Sequence, residues 1–299
     1  MKRKTIAKVL RKKFRKFTES IDDPIVRREV QKNSMITGGA ITSMFYHENV
    51  NDYDVYFTDA KTCQLAAEYF VDRFNRSHPR DGASVEIGKG VANSGFYKPK
   101  FEDDRISIFI KSNGVAGEPQ AGMAGEQLGD TVEEFEQLEQ EEEDKGYEPV
   151  FLSQNAITLS GRIQLIIRFF GTPDEIHKNY DFAHCTNYWL SKDSKVYLNE
   201  QALESMLTKE LVYIGSKYPV CSIIRTRKFI KRGFSITAGT YLKMILQCNE
   251  LDLFDVDVLE DQLTGVDSAY FMQVISAIRS DKPERMNSAY LAEIIDRIF

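Results

Sequence analysis

The sequence predicts an α+β protein, a mixed sheet with helices followed by an all-helical C-terminal domain. Three observations carry that expectation. Short runs rich in β-formers alternate with helical periodicities through residues 33–198. From Asn199 the periodicity is helical almost to Phe299. A chain of 299 residues can bury a sizeable core and favours two domains over one.

The first element is a basic helical segment, residues 1–32. Ile6, Leu10, Phe14 and Phe17 recur at helical spacing, so one stripe packs inward while a Lys/Arg face meets solvent. Residues 1–16 carry nine Lys or Arg and no acid. That face reads equally as a solvated surface or as one that gains affinity for nucleic acid by releasing counterions from phosphates. A second helix is expected around Pro24–Lys32.

Within 33–198, "AITSMFYHEN" reads as a short helix, "DYDVYF" as an alternating strand and "AKTCQLAAEYFVDRFNRS" as a helix. "ASVEIG" and "RISIFIK" read as strands flanking a loop. Residues 112–149 are dominated by Gly, Ala, Gln and Glu and cannot bury enough apolar surface to offset ordering, so a flexible acidic insertion is expected there. Three strand-like runs follow, "NAITLSG", "RIQLIIRFFG" and "NYDFAHCTNYW". Between the last two, Thr172 as N-cap and Pro173 at the first helical position signal a short helix. Residues 199–299 then form the helical domain.

Composition excludes several classes. The net charge of −6 becomes +2 once the eight acids of residues 133–144 are set aside, so the average charge is a poor guide to partners. Four widely separated cysteines form no CxxC, which signals neither a zinc cage nor a disulfide framework. No apolar run approaches membrane-spanning length and no secretory signal is seen, so a cytoplasmic location is expected. "GKGVANSG" lacks the context of a P-loop, and no Ser-His-Asp or Cys-His arrangement stands out.

The chemistry concentrates in "GGAITSMFYHENVNDYDVYF". On a strand, Asp52 and Asp54 project to one side while Tyr53, Val55 and Phe57 face the core. Two adjacent carboxylates repel unless a cation lies between them, and a hard divalent ion, Mg²⁺ or Mn²⁺, suits oxygen ligands. The preceding pair, Gly38 and Gly39, opens a helix whose N–H groups can approach a phosphate. Together they describe a nucleoside triphosphate–metal site.

"GG", a short helix and "DYDVYF" resemble the glycine pair and carboxylate strand of the DNA polymerase beta-like nucleotidyltransferase superfamily. The resemblance implies a small mixed sheet with helices, and two-metal transfer of a nucleotidyl group from an NTP with release of pyrophosphate. It also implies a third carboxylate on a neighbouring strand. Asp181, an isolated acid in "NYDFAHC", is the first candidate, because an unpaired charge in an apolar run needs a cationic partner. Asp103, Asp104 and Glu86 are its rivals. "TPDEIHKNYDF" also resembles a stretch of poorly characterised bacteriophage nucleotidyltransferases, which points to a viral source and a host cytoplasm.

A triphosphate also needs fixed positive charge. Arg225, Lys228 and Arg232 form one stripe of "IIRTRKFIKRGF", with Gly233 ending the helix, and Arg162 and Arg168 are weaker candidates. His184 reads as a structural residue, and His47 and His177 as helix-surface ones. The expected acceptor is an RNA or tRNA 3′ hydroxyl. A toxin-like enzyme modifying tRNA or protein, a cyclic oligonucleotide synthase and a non-catalytic nucleic-acid-binding protein on the same fold remain alternatives.

Overall fold

The computed structural model describes residues 1–77, 83–89, 104–110, 146–153 and 155–253, with isolated positions beyond. The chain divides into two compact units: Met1–His177 with His184–Ala202, and Lys178–Ala183 with Leu203–Phe299.

The first unit opens with helix α1 (Arg3–Glu19) and helix α2 (Pro24–Lys32). The inward stripe of α1, Ile6, Val9, Leu10, Phe14 and Phe17, is buried in one core with the sheet, so the basic segment is part of this unit. Its Lys/Arg face is not wholly solvated. Lys13 is buried, its ammonium over the rings of Tyr53 (5.4 Å) and Tyr147 (5.8 Å), where the aromatic faces offset part of its desolvation. Helix α2 starts where Asp23 accepts from the N–H groups of Ile25 (2.7 Å) and Val26 (3.0 Å), with Pro24 in its first turn.

Strand β1 (Ser34–Thr37) leads through Gly38 into helix α3 (Gly39–Tyr46), and strand β2 (Tyr53–Phe57) returns antiparallel to β1. Tyr53, Val55 and Phe57 are buried, as the alternation predicts. Helix α4 (Ala60–Ser77) is capped by Asp59, whose carboxylate accepts from the Thr62 N–H and hydroxyl at 2.8 and 2.9 Å. Strands β3 (Ala83–Lys89) and β4 (Asp104–Ile110) pair antiparallel as a separate two-stranded sheet.

The acidic insertion lies outside the described residues except at its end. There Tyr147 is buried and strand β5 (Pro149–Leu152) begins, so ordered structure resumes before the expected boundary. Strands β6 (Ala156–Leu159) and β7 (Ile163–Phe170), helix α5 (Pro173–His177) and strands β8 (Tyr188–Leu190) and β9 (Lys195–Tyr197) complete the unit. Helix α5 has the expected cap: Glu175 accepts from the Thr172 N–H and hydroxyl, each at 2.8 Å. The seven-stranded sheet runs β5-β6-β7-β2-β1-β8-β9, and β2 and β7 are parallel. The α+β organisation is therefore a mixed sheet with helices.

One expected strand is broken. "NYDFAHCTNYW" does not run continuously: Asp181–Ala183 joins the second unit, a 3₁₀ turn spans Ala183–Cys185, and only Tyr188–Leu190 enters the sheet. The cause is local, because the hydroxyls of Thr37 and Thr42 take carbonyls of residues 184–187 that a ladder would need.

In the second unit, helix α6 (Glu200–Thr208, which starts in the first) stops well before Gly215, so the helical periodicity expected from Asn199 is interrupted. Lys209 turns left-handed at φ 51°, and the β-favouring run after it is extended, bridging Tyr213 to Phe182 and Glu210 to Ser235. Helix α7 (Pro219–Lys231) ends at Gly233, φ 83°, and helix α8 (Ala238–Cys248) is capped by Thr237. No described helix is long and apolar enough to cross a membrane.

Candidate nucleotide site

Register across the sheet sorts its residues into rows. Ile157, Leu165, Val55, Ile36, Trp189 and Val196 align and all are buried in the core. The next row is Thr158, Gln164, Asp54, Thr37, Tyr188 and Tyr197. Successive side chains on a strand face opposite ways, so this polar row lies on the side away from that core. Asp52, just before β2, is exposed, whereas Asp54 is half-buried.

Thr37 is registered opposite Asp54 and immediately precedes the glycine pair. An antiparallel partner lies within about 5.5 Å, so the turn into α3 and the DYD strand meet at one place. Gly38 sits at φ 91°, a left-handed conformation that a side chain would strain. Its own N–H donates to the Cys185 carbonyl at 3.1 Å, so Gly38 shapes the turn rather than offering a donor. At Gly39 an added Cβ would meet nothing within 4 Å.

Sequence reasoning missed Thr37. Its hydroxyl lies 2.9 Å from His177 Nε2, 3.0 Å from the Asn187 carbonyl and 3.3 Å from the Cys185 carbonyl. The hydroxyl proton goes to a carbonyl, so His177 is assigned the Nε2–H and donates. His177 is therefore not the surface residue expected: burial lowers its pKa to about 4, against a smaller opposing effect of Asp174, and it is neutral at pH 7. Its ring packs on Tyr188, which stacks on Tyr197. Thr42 donates to the His184 carbonyl at 2.7 Å, so residues 184–187 grip both ends of the turn.

The remaining candidates fall elsewhere. In the second unit Asp181 is buried at 5% exposure. One of its oxygens accepts from the Phe182 N–H (3.0 Å) and the other from Arg225 Nη1 (2.7 Å), so its cationic partner is Arg225 itself. Phe182 packs edge-on against Tyr213 and Phe229, fixing that short segment. Lys228 is exposed, and the Arg232 carbonyl accepts from Lys209 Nζ at 3.1 Å. Arg162 Nη1 donates to the Val50 carbonyl (2.8 Å), and buried Arg168 to Asn155 (3.0 Å). Asp103 lies outside the described residues, while Glu86 and Asp104 are on β3 and β4.

Among the described residues no group of three or more His, Cys, Asp or Glu is placed to hold a metal ion. The chemistry that remains is two carboxylates, Asp52 and Asp54, beside neutral oxygens on Thr37 and Gln164. That set fits Mg²⁺, which is commonly held by one or two carboxylates plus substrate phosphates.

A family profile described as "Gabija anti-defense 2 family protein" matches residues 8–209. A curated relative, Gabija anti-defense 2 of Bacillus phage SPbetaL7, is 20% identical over 281 residues, covering 93% of this chain and 51% of the relative. The chain thus spans about half the length of that relative. Among solved structures, a Bacillus stearothermophilus CCA-adding enzyme in complex with CTP is similar at TM-score 0.42 and 10% identity, over 89% of this chain and 50% of that one. A tRNA-processing enzyme with CTP gives 0.40 and 13% over 91% and 57%. A Thermotoga maritima CCA-adding enzyme complexed with tRNA gives 0.36 and 11% over 95% and 53%.

Proposed function

The chain belongs to the Gabija anti-defense 2 family, and we propose that it is a divalent-metal-dependent nucleotidyltransferase that moves an NMP from an NTP to an acceptor hydroxyl. The supporting observation is the Thr37–Asp54 register, which brings the turn into α3 beside the strand that carries Asp54. The acceptor oxygen forms a bond to the α-phosphorus, the α–β anhydride bond breaks, and pyrophosphate leaves.

In this reading the N–H groups at the start of α3, beginning at Gly39, face the triphosphate, where the helix dipole favours negative charge. Asp52 and Asp54 hold Mg²⁺ or Mn²⁺, which when bound neutralises the phosphates and the leaving pyrophosphate. Thr37 and His177 keep the turn in place. The acceptor we favour is an RNA or tRNA 3′ end, drawn by the Lys/Arg face of α1. The relative's name ties it to opposing the Gabija defence, and we extend that role to this chain.

The test is incubation of the purified chain with each labelled NTP, Mg²⁺ or Mn²⁺ and total RNA. The double variant Asp52→Ala/Asp54→Ala serves as control. Metal-dependent labelling of RNA that the control loses is expected. Labelling of protein would move the reading to the toxin-like class, and absence of pyrophosphate release with every NTP would move it to a nucleic-acid-binding protein.

A further inference from the structure

The resemblance implies a third carboxylate on a strand next to the DYD strand. In the sheet the neighbours of β2 are β1, "SMIT", and β7, "IQLIIRFF", and neither carries an acid. The residue beside Asp54 on β7 is Gln164, in register at one strand spacing, about 4.8 Å. Its strand neighbours Ile163 and Leu165 are buried in the core, whereas Gln164 is half-buried on the polar row. Position, face and partial exposure are those of a site residue. Charge is what it lacks.

We propose that Gln164 is the third side chain of the nucleotide site, and that its neutral amide limits the sheet's own metal site to a single ion, the one that arrives with the triphosphate. This rests on the nucleotide reading above. An amide offers two N–H donors and a carbonyl acceptor but no negative charge. Its N–H groups hydrogen-bond a triphosphate oxygen without adding a third charge that would repel it. A second divalent ion needs more charge than Asp52 and Asp54 supply once the first is bound, and Gln164 does not provide it. An amide also cannot take the proton of an acceptor hydroxyl, so the sheet favours holding nucleotide over activating the acceptor.

The test counts bound Mn²⁺ by electron paramagnetic resonance on the full chain, with an α,β-methylene NTP analogue that cannot be cleaved. Wild type should hold a single Mn²⁺ per bound nucleotide, and Asp181→Asn the same. Gln164→Glu should gain a second ion, while its metal-free affinity for the analogue falls several-fold through charge repulsion. A second Mn²⁺ in wild type, above all one lost in Asp181→Asn, would overturn the proposal. So would a folded Gln164→Glu that still holds a single ion. If Gln164→Glu does not fold, the wild-type and Asp181→Asn counts still decide. Failure of wild type to bind the analogue at all would instead bring down the nucleotide reading, and this inference with it.

Discussion

Two short acid-bearing segments look alike in sequence and behave differently in the fold. "DYD" and "YDF" both set aspartate against aromatics, and both suggest a charge that needs a cation. In the first, Asp54 lies on a strand whose residues Tyr53, Val55 and Phe57 are buried, and Asp52 is exposed just before it. In the second, both oxygens of Asp181 are engaged by Arg225 and the Phe182 N–H. An acid in an apolar run shows that a partner exists. Only the fold shows whether that partner is a ligand or another residue of the chain.

Removing each acid should separate the two cases. The largest effect expected is on function: if the proposed reading holds, Asp52→Ala/Asp54→Ala should lower metal-dependent nucleotidyl transfer by roughly a thousandfold or more, since that reading gives those carboxylates the ion. Stability should barely move, within about 0.5 kcal/mol or slightly upward, because the two like charges that are removed repel each other. Pyrophosphate release and urea unfolding of the same preparation check both halves.

Arg225→Ala should do the reverse to the fold. It leaves the buried Asp181 carboxylate without its cation, and a loss of about 1–3 kcal/mol is expected, below that of a fully buried pair because the Arg225 side chain is 41% exposed. Asp181→Asn/Arg225→Met should recover part of the loss, as measured by urea midpoints at constant slope. A loss as small as that of Asp52→Ala/Asp54→Ala would mean that the two segments do not differ as described.

Much of this comparison was legible beforehand. The period-two pattern of "DYDVYF" correctly buries Tyr53, Val55 and Phe57, and Thr172 and Pro173 mark the start of α5. Asp181 was expected to need a cation and has one, because burial makes an unpaired carboxylate too costly. Register was not legible. Nothing local tells Gln164 that it will stand beside Asp54, since β2 and β7 are parallel and more than 100 residues apart, joined only by tertiary pairing. Thr37 was missed for the same reason: its partners, His177, Cys185 and Asn187, come from another part of the chain. The strand expected through Asp181 failed because side-chain hydroxyls captured carbonyls that pattern reasoning assigns to a ladder.

Thr37 tests whether the glycine turn needs its clamp. Thr37→Val keeps the volume and removes the hydroxyl, which takes from the buried Asn187 a donor to its carbonyl and from His177 the acceptor for its Nε2–H. A loss of about 1–2 kcal/mol is expected, together with several-fold weaker nucleotide binding because α3 is less firmly aimed. Calorimetric titration with the uncleavable analogue would show it. Unchanged affinity with reduced stability would make Thr37 a structural residue only.

The smallest effect at neutral pH, and the most diagnostic in acid, belongs to His177. Burial depresses its folded pKa to about 4 from an ordinary value of 6.5, so in the window between them the unfolded chain binds the extra proton. Stability must then fall as pH drops from 6.5 toward 4, and level off below, where both states carry the charge. His177→Gln keeps a donor for Thr37 without the titration, so it should be nearly silent at pH 7 and flatten that part of the unfolding-versus-pH curve. A variant as acid-sensitive as wild type in that window would place the titration elsewhere. Because Thr37 connects His177 to the turn before Gly39, nucleotide affinity should weaken over the same window in wild type and hold steadier in the variant.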